Sequence, residues 1–218
     1  MARAPRLAIV GGNATRGLQL PPGEWETLDR HGEDAYALPH QIDHAANLGR
    51  LVASGCERVL AIASVGGLQP QYGPGTFLCP DDFISLAGNA TMLSGRDAHL
   101  VIAFDPDWRG VVLEEWTSHA DPPLLDGGVY WQSVGPRLES PAEVRHAARD
   151  ADVIGMTIAS ECAAATELGL AYAAVCVVDN YANGVGESEL TIEELEAGRA
   201  ANREALAAAL EIVLPALA

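Results

Sequence analysis

Basic residues are scarce in this chain. Thirteen Lys+Arg stand against 30 Asp+Glu, giving a formal net charge of −17 and an isoelectric point near 4.5. A field of that sign repels polyanions, so neither nucleic acid nor an anionic membrane surface is expected as a partner. An anionic small molecule would need a local cluster of the few basic side chains. Cysteine is also sparse. Cys56, Cys79, Cys162 and Cys176 are widely spaced, with no Cys-x-x-Cys and no His-x-x-x-His, so no metal site is expected. Three of the four sit in apolar runs and read as small buried hydrophobes, which points to reduced thiols and a cytoplasmic protein. No run of about 20 apolar residues exists to span a bilayer. The apolar stretch after the first two arginines is short, so no signal peptide is expected. Repeats, charge blocks and low-complexity linkers are absent too. What remains is 218 residues, 49% hydrophobic, with mean hydropathy +0.09. That describes one globular domain over residues 1–218 with a sizeable core.

Short apolar runs alternate with helical spacings from end to end. Strands are expected over 7–10, 59–63, 77–79, 100–104, 128–134, 153–156 and 172–178, the last of the kind buried on both faces. Helices are expected over 40–53, stopped by Gly55, and over 141–150, with Ser140 as N-cap and Pro141 in the first helical position. Two more follow, over 160–168, stopped by Gly169, and from Thr191 to about residue 214. The order is that of an α/β fold, a single domain with a central mixed twisted sheet flanked by helices. Residues 86–127, rich in proline and glycine, read as an inserted loop-rich segment.

Chemistry-bearing residues fall at the carboxyl ends of these strands, where ligands of α/β sheets bind. Gly11-Gly12-Asn13 lets backbone N–H groups approach an anion, although a tight turn explains it as well. Arg30-His31-Gly32 offers a forked phosphate donor beside a second hydrogen-bonding ring. Ser64-Val65-Gly66-Gly67-Leu68 places small residues where the flat face of a sugar or base can lie. Gly135-Pro136-Arg137-Leu138-Glu139-Ser140 carries an acid on a tight turn. Gly155-Met156-Thr157 ends a strand with a hydroxyl able to hold an anion. Asp179-Asn180 closes the long buried strand with a carboxamide able to donate to one heterocycle edge and accept from it. Each block has a plain structural reading as well: Glu139 as a helix cap, Asn180 and Asp179 as turn residues, Met156 as core.

Taken jointly and in order, these blocks resemble the trimeric class of the purine nucleoside phosphorylase and methylthioadenosine phosphorylase family. The segment 39–48 (Pro-His-Gln-Ile-Asp-His-Ala-Ala-Asn-Leu), Glu161 and Tyr181-Ala182 belong to the same pattern. Gly-Pro-Arg-Leu-Glu resembles the bacterial S-methyl-5′-thioinosine phosphorylases in particular. The resemblance implies phosphate-binding roles for Asn13, Arg30, His31, Ser64 and Thr157. It implies substrate contacts for Val65, Gly66, Leu138, Met156 and Asp179, and a base-reading pair in Glu139 and Asn180. That pair suits a 6-oxopurine: the carboxylate accepts from N1–H and the amide donates to N7 or O6. Adenine-selective members carry an aspartate where this chain has Asn180. The implied reaction is phosphorolysis of a 6-oxopurine nucleoside or 5′-methylthioinosine, with inorganic phosphate as co-substrate, no cofactor and a homotrimeric assembly. Asn13, Ala63 and Asp179 replace threonines of the family pattern. The alternative is therefore a nucleoside hydrolase or a non-catalytic purine-binding member of the same fold.

Overall fold

The computed structural model describes residues 6–32, 35–86, 91–93, 99–186 and 190–218. Parts of the segment expected to be loop-rich, and the extreme N-terminus, lie outside the described residues.

The sheet is built on β3 (Cys56–Gly67), which divides one of its edges between two neighbours. Its first half pairs in parallel with β1 (Arg6–Gly11), and its last two residues pair antiparallel with β8 (Val153–Gly155). Its other edge pairs along its length with β9 (Ala171–Tyr181). Beyond β1 lies β2 (Trp25–Asp29), also parallel. Beyond β8 lie β7 (Val129–Gln132) and β5 (Asp82–Ser85). Beyond β9 lie β4 (Phe77–Cys79) and β6 (Leu124–Asp126). The result is a mixed nine-stranded sheet among the described residues.

Helices cover both faces. The first layer holds α1 (His44–Ala53) and α4 (Ile158–Glu167), and the second holds α2 (Pro106–His119) and α5 (Ile192–Leu217); α3 (Pro141–Ala147) stands at the β7–β8 connection. Strand alternation sorts β9 between them. Tyr172, Ala174, Cys176 and Val178 pack in the cluster with α1 and α4. Ala173, Val175 and Val177 pack in the cluster with α2 and α5. The run is apolar throughout because both faces are covered, as its sequence predicts. None of the helices among the described residues is long and apolar enough to cross a membrane.

Helix starts follow local chemistry. Ser140 caps α3 and Thr191 caps α5, each with a reciprocal glutamate in a capping box. Ser140 therefore does what Glu139 was weighed for, and leaves Glu139 out of the helix cap.

Three expectations need correction. Residues 100–104 are extended but pair with no strand, and Phe104 instead stacks on Tyr172. The loop-rich segment contains a helix of 14 residues, α2. Its start was legible: Asp105 accepts from Trp108 N–H at 2.8 Å and Pro106 occupies the first turn. Trp108, Val112 and Trp116 then recur at i, i+4 and i+8 and are buried. The third is β2, a strand where the sequence shows only a short polar segment; its outer position beyond β1 demands little apolar patterning.

α5 is pressed onto β9 at one glycine. A Cβ on Gly198 would come within 1.8 Å of the Asp179 carbonyl oxygen. Alanine is intrinsically the better helix residue by about 1 kcal/mol, but here overpacking wins. Gly198→Ala is expected to lower stability by about 1–3 kcal/mol, read as a lower urea midpoint. A raised midpoint would show that the helix does not rest on that carbonyl.

Candidate active site

A cavity of about 260 Å³ opens at the carboxyl ends of β1, β3 and β9. Its wall gathers every residue singled out above except one. Asn13, Arg30, His31, Ser64 and Thr157 are on it, and so are Val65, Gly66, Leu138 and Met156; Glu139 and Asn180 share it with them. The exception is Asp179, expected to touch substrate. Successive strand residues face opposite ways. Asn180 reaches the cavity, whereas Asp179 points under α5, where it is 2% exposed and accepts from Asn202 Nδ2 at 2.7 Å. The β3–β9 register also slips here. Val65 pairs with Val178 and Gly66 with Asn180, so Asp179 is the unpaired residue of a bulge.

Arg30 follows β2 directly, and the parallel β1–β2 pairing places it beside Gly11, whose carbonyl accepts from Arg30 N–H at 3.0 Å. Its guanidinium meets Glu161 of α4 in two bonds, Nε to Oε2 at 2.9 Å and Nη2 to Oε1 at 3.0 Å. It also donates to the Ile62 and Val10 carbonyls, at 2.8 and 3.2 Å. Tyr172 donates its hydroxyl to Glu161 at 2.7 Å. His44 Nδ1 stands 3.7 Å from the same carboxylate, beyond hydrogen-bonding reach. Burial opposes charge on both partners, but the pairing more than offsets it. Glu161 is held down to about 2 by Arg30 with His44 nearby, and Arg30 is pushed above its ordinary range by Glu161. Four of the five guanidinium N–H groups are thereby engaged, leaving one on Nη1. A Cβ on Gly12 would sit 2.6 Å from that Nη1.

His31 donates from Nδ1 to the Ala37 carbonyl at 2.8 Å, which fixes its neutral tautomer and leaves the lone pair on Nε2. Burial lowers its pKa. Tyr36 stacks on the imidazole at 4.5 Å, takes the Arg16 guanidinium on its ring at 4.7 Å and accepts from Asn13 Nδ2 at 3.1 Å.

Backbone donors near the cavity are largely engaged. Gly12 N–H donates to Thr15 Oγ1 at 3.1 Å. At the start of α4, Tyr130 Oη accepts from Thr157 and Ile158 N–H at 3.1 and 3.3 Å, and Gln132 Oε1 from Ser160 N–H at 3.0 Å. Thr157 makes no capping bond with its hydroxyl and lies on the cavity wall.

Glu139 accepts from Ser133 Oγ at Oε1, and its carbonyl accepts from Asn183 Nδ2 at 3.1 Å. Asn180 Nδ2 donates to the Tyr181 carbonyl at 2.7 Å. Its Oδ1 has no partner among the described residues. Gly66 leaves room beside it, since a Cβ there would stand 3.4 Å from Asn180 Nδ2. Gly135 makes room for Met156, whose sulfur would lie 2.5 Å from a Cβ at that position.

The family pattern extends over most of the chain, matching the Phosphorylase superfamily over residues 27–215. The chain belongs to that superfamily. A probable 6-oxopurine nucleoside phosphorylase of Archaeoglobus fulgidus is 38% identical over 168 residues, which is 77% of this chain and 69% of that protein. A probable S-methyl-5′-thioinosine phosphorylase of Xylella fastidiosa is 37% identical over 175 residues, 76% of this chain and 73% of the other. Among solved structures, a variant of adenosine/methylthioadenosine phosphorylase from Schistosoma mansoni in complex with tubercidin superposes with a TM-score of 0.81. It covers 97% of this chain and 92% of its own, and at 20% identity it shows the shared fold.

Sequence reasoning gave Glu161 no role, yet it anchors Arg30. Its signal was a lone acid among Ile158, Ala159, Cys162 and Ala163 on a buried face. Tyr36 and Arg199, also on the cavity wall, carry no comparable signal.

Glu161→Gln leaves the buried guanidinium short of its counter-charge and is expected to cost about 3–5 kcal/mol near neutrality. Because the folded carboxyl is held near 2, below its ordinary 4.5, the stability it contributes is present above 4.5 and lost as pH falls toward 2. The wild-type chain should therefore lose stability more steeply than the variant across that window in urea titrations. Parallel pH profiles would rule out the charged pair.

Proposed function

We propose that this chain is a purine nucleoside phosphorylase acting on 6-oxopurine nucleosides or 5′-methylthioinosine, with inorganic phosphate as co-substrate and no cofactor. The observation that carries the reading is the meeting of Glu139, from the loop before α3, and Asn180, from the end of β9, on one cavity with Arg30, His31 and Thr157. The names of the relatives support it.

In this reading phosphate lies between the remaining Arg30 Nη1–H, His31 and the Thr157 hydroxyl. The ribose rests over Met156. Leu138 packs on the base, Glu139 accepts from N1–H, and Asn180 donates to N7 or O6. A phosphate oxygen attacks C1′, the C1′–N9 bond breaks, and its electron pair passes into the purine. The phosphate is at once nucleophile and counter-charge to the cationic sugar, so catalysis rests on positioning and electrostatics. The four free buried thiols fit a reducing compartment, and we place the reaction in the cytoplasm. The family resemblance supports a homotrimer, which light scattering would check.

Inosine, guanosine and methylthioinosine incubated with phosphate should release free base only when phosphate is present. Release without phosphate would favour the hydrolase reading, and no release from any of them would remove both. Asn180→Asp is expected to shift the ratio of kcat/KM toward 6-aminopurine nucleosides by about tenfold, on the scale of one redirected hydrogen bond. An unchanged ratio would take Asn180 out of base recognition.

A further inference from the structure

Arg199 stands on the cavity wall without a role so far. Ile192, Leu195 and Arg199 recur at i, i+3 and i+7, so a single face of α5 covers the cavity. The position of that face is fixed. Gly198 rests against the Asp179 carbonyl, and Asn202 donates to the Val178 carbonyl at 3.0 Å and to Asp179 Oδ1 at 2.7 Å. Asn180 and Arg199 each directly follow the residues of the Gly198–Asp179 contact, and both line the cavity.

Arg199 Nε is buried and has no hydrogen-bond partner among the described residues. Asp179 acts on the guanidinium through space without an ion pair, and its own Oδ2 is likewise unpartnered. The contrast with Arg30 is sharp, because that guanidinium is engaged on nearly every side. The sequence contains no lysine, so any fixed cation facing a ligand must be an arginine. A buried donor without a partner is costly and marks a place where one is supplied from outside. Leu190, Ile192 and Leu195 line the same cavity and offer no competing charge.

We propose that Arg199 is a base-side residue: its guanidinium donates to the O6/N7 edge of the purine beside Asn180 and stabilises the negative charge the ring acquires as the glycosidic bond breaks. The C1′–N9 electron pair passes into the ring, Arg199 keeps its protons throughout, and the departing base takes its proton from water. The catalytic half of this assignment rests on the phosphorylase reading; the recognition half concerns base binding alone.

The test uses the full chain, with Arg199→Met and Arg199→Lys. Calorimetry with hypoxanthine should show affinity about tenfold weaker for Arg199→Met, on the scale of a lost charge-assisted hydrogen bond. Arg199→Lys should fall between that variant and wild type. Xanthine in mildly alkaline buffer, where its ring is anionic, should lose more than hypoxanthine, and inorganic phosphate should bind as before. In turnover, Arg199→Met should slow inosine by about 100-fold. It should slow 7-methylinosine far less, because that ring is already cationic and leaves as a neutral base. Unchanged hypoxanthine affinity, a loss confined to phosphate, or equal losses for the two nucleosides would overturn the assignment, as would failure of the unaltered chain to bind hypoxanthine. Hypoxanthine binding without base release from any nucleoside would overturn the phosphorylase reading and the catalytic half, while the affinities would still decide the recognition half.

Discussion

The Arg30–Glu161 pair is the constraint on which the cavity floor depends. Arg30 leaves β2, binds the carbonyl of Val10 on β1 and of Ile62 on β3, and ends on a carboxylate of α4 that Tyr172 of β9 also holds. Five elements thus meet on two charged side chains, each 2% exposed or less. Two buried charges tolerate displacement poorly, since each would be left uncompensated in an apolar interior. The three strand ends around the cavity are therefore held in register by an electrostatic requirement as well as by the ladder. The same engagement limits what Arg30 can do as a ligand: one N–H remains, directed by a guanidinium that cannot rotate.

The base side is positioned differently, by backbone approach. The bulge at Asp179 and the seat of Gly198 against its carbonyl fix α5 over β9. Asp179 is the hinge of that arrangement. Its carboxylate accepts from Asn202 of α5, and burial raises its pKa despite that bond. A residue that looks like a substrate contact is instead a joint between helix and sheet. Its charge reaches the surroundings of Arg199.

Much of this was legible in the sequence, for identifiable reasons. Strands and helices with apolar periodicity and clear caps were found close to their observed bounds, as in α3 with its Ser140 cap and β9 with its two buried faces. What escaped had a weaker or a contradictory local signal. Prolines and glycines around α2 masked a start that Asp105 and Pro106 announced and that two tryptophans confirmed. β2 lies outside β1, where little apolar patterning is demanded. At the site, residue type located eleven wall residues because ligand-facing chemistry gathers at strand ends. The same reasoning failed at Asp179, which the bulge in β9 turns under α5 while Asn180 reaches the cavity. Arg199 was out of reach, because an arginine on a polar helix looks the same whether it faces solvent or a ligand.

The two halves of the cavity are unequally furnished, and that bears on mechanism. On the side of Arg30, amides at the start of α4 are capped by Tyr130 and Gln132, and the Gly12 amide by Thr15. An anion there meets few free donors, chiefly the Ser64 and Thr157 hydroxyls and one guanidinium N–H. The rest of the wall carries the Glu139 carboxylate, the Asn180 amide and, on α5, Arg199, whose Nε has no partner among the described residues. Fixed donors lower a barrier only where charge develops. A chain furnished in this way gains more by stabilising the departing base than by gripping the nucleophile. The strongly negative overall charge acts in the same direction, since it disfavours any anion not met by a local cation. Under the proposed phosphorylase reading, tight recognition of the base combined with a lean phosphate site is the physical consequence of these donors.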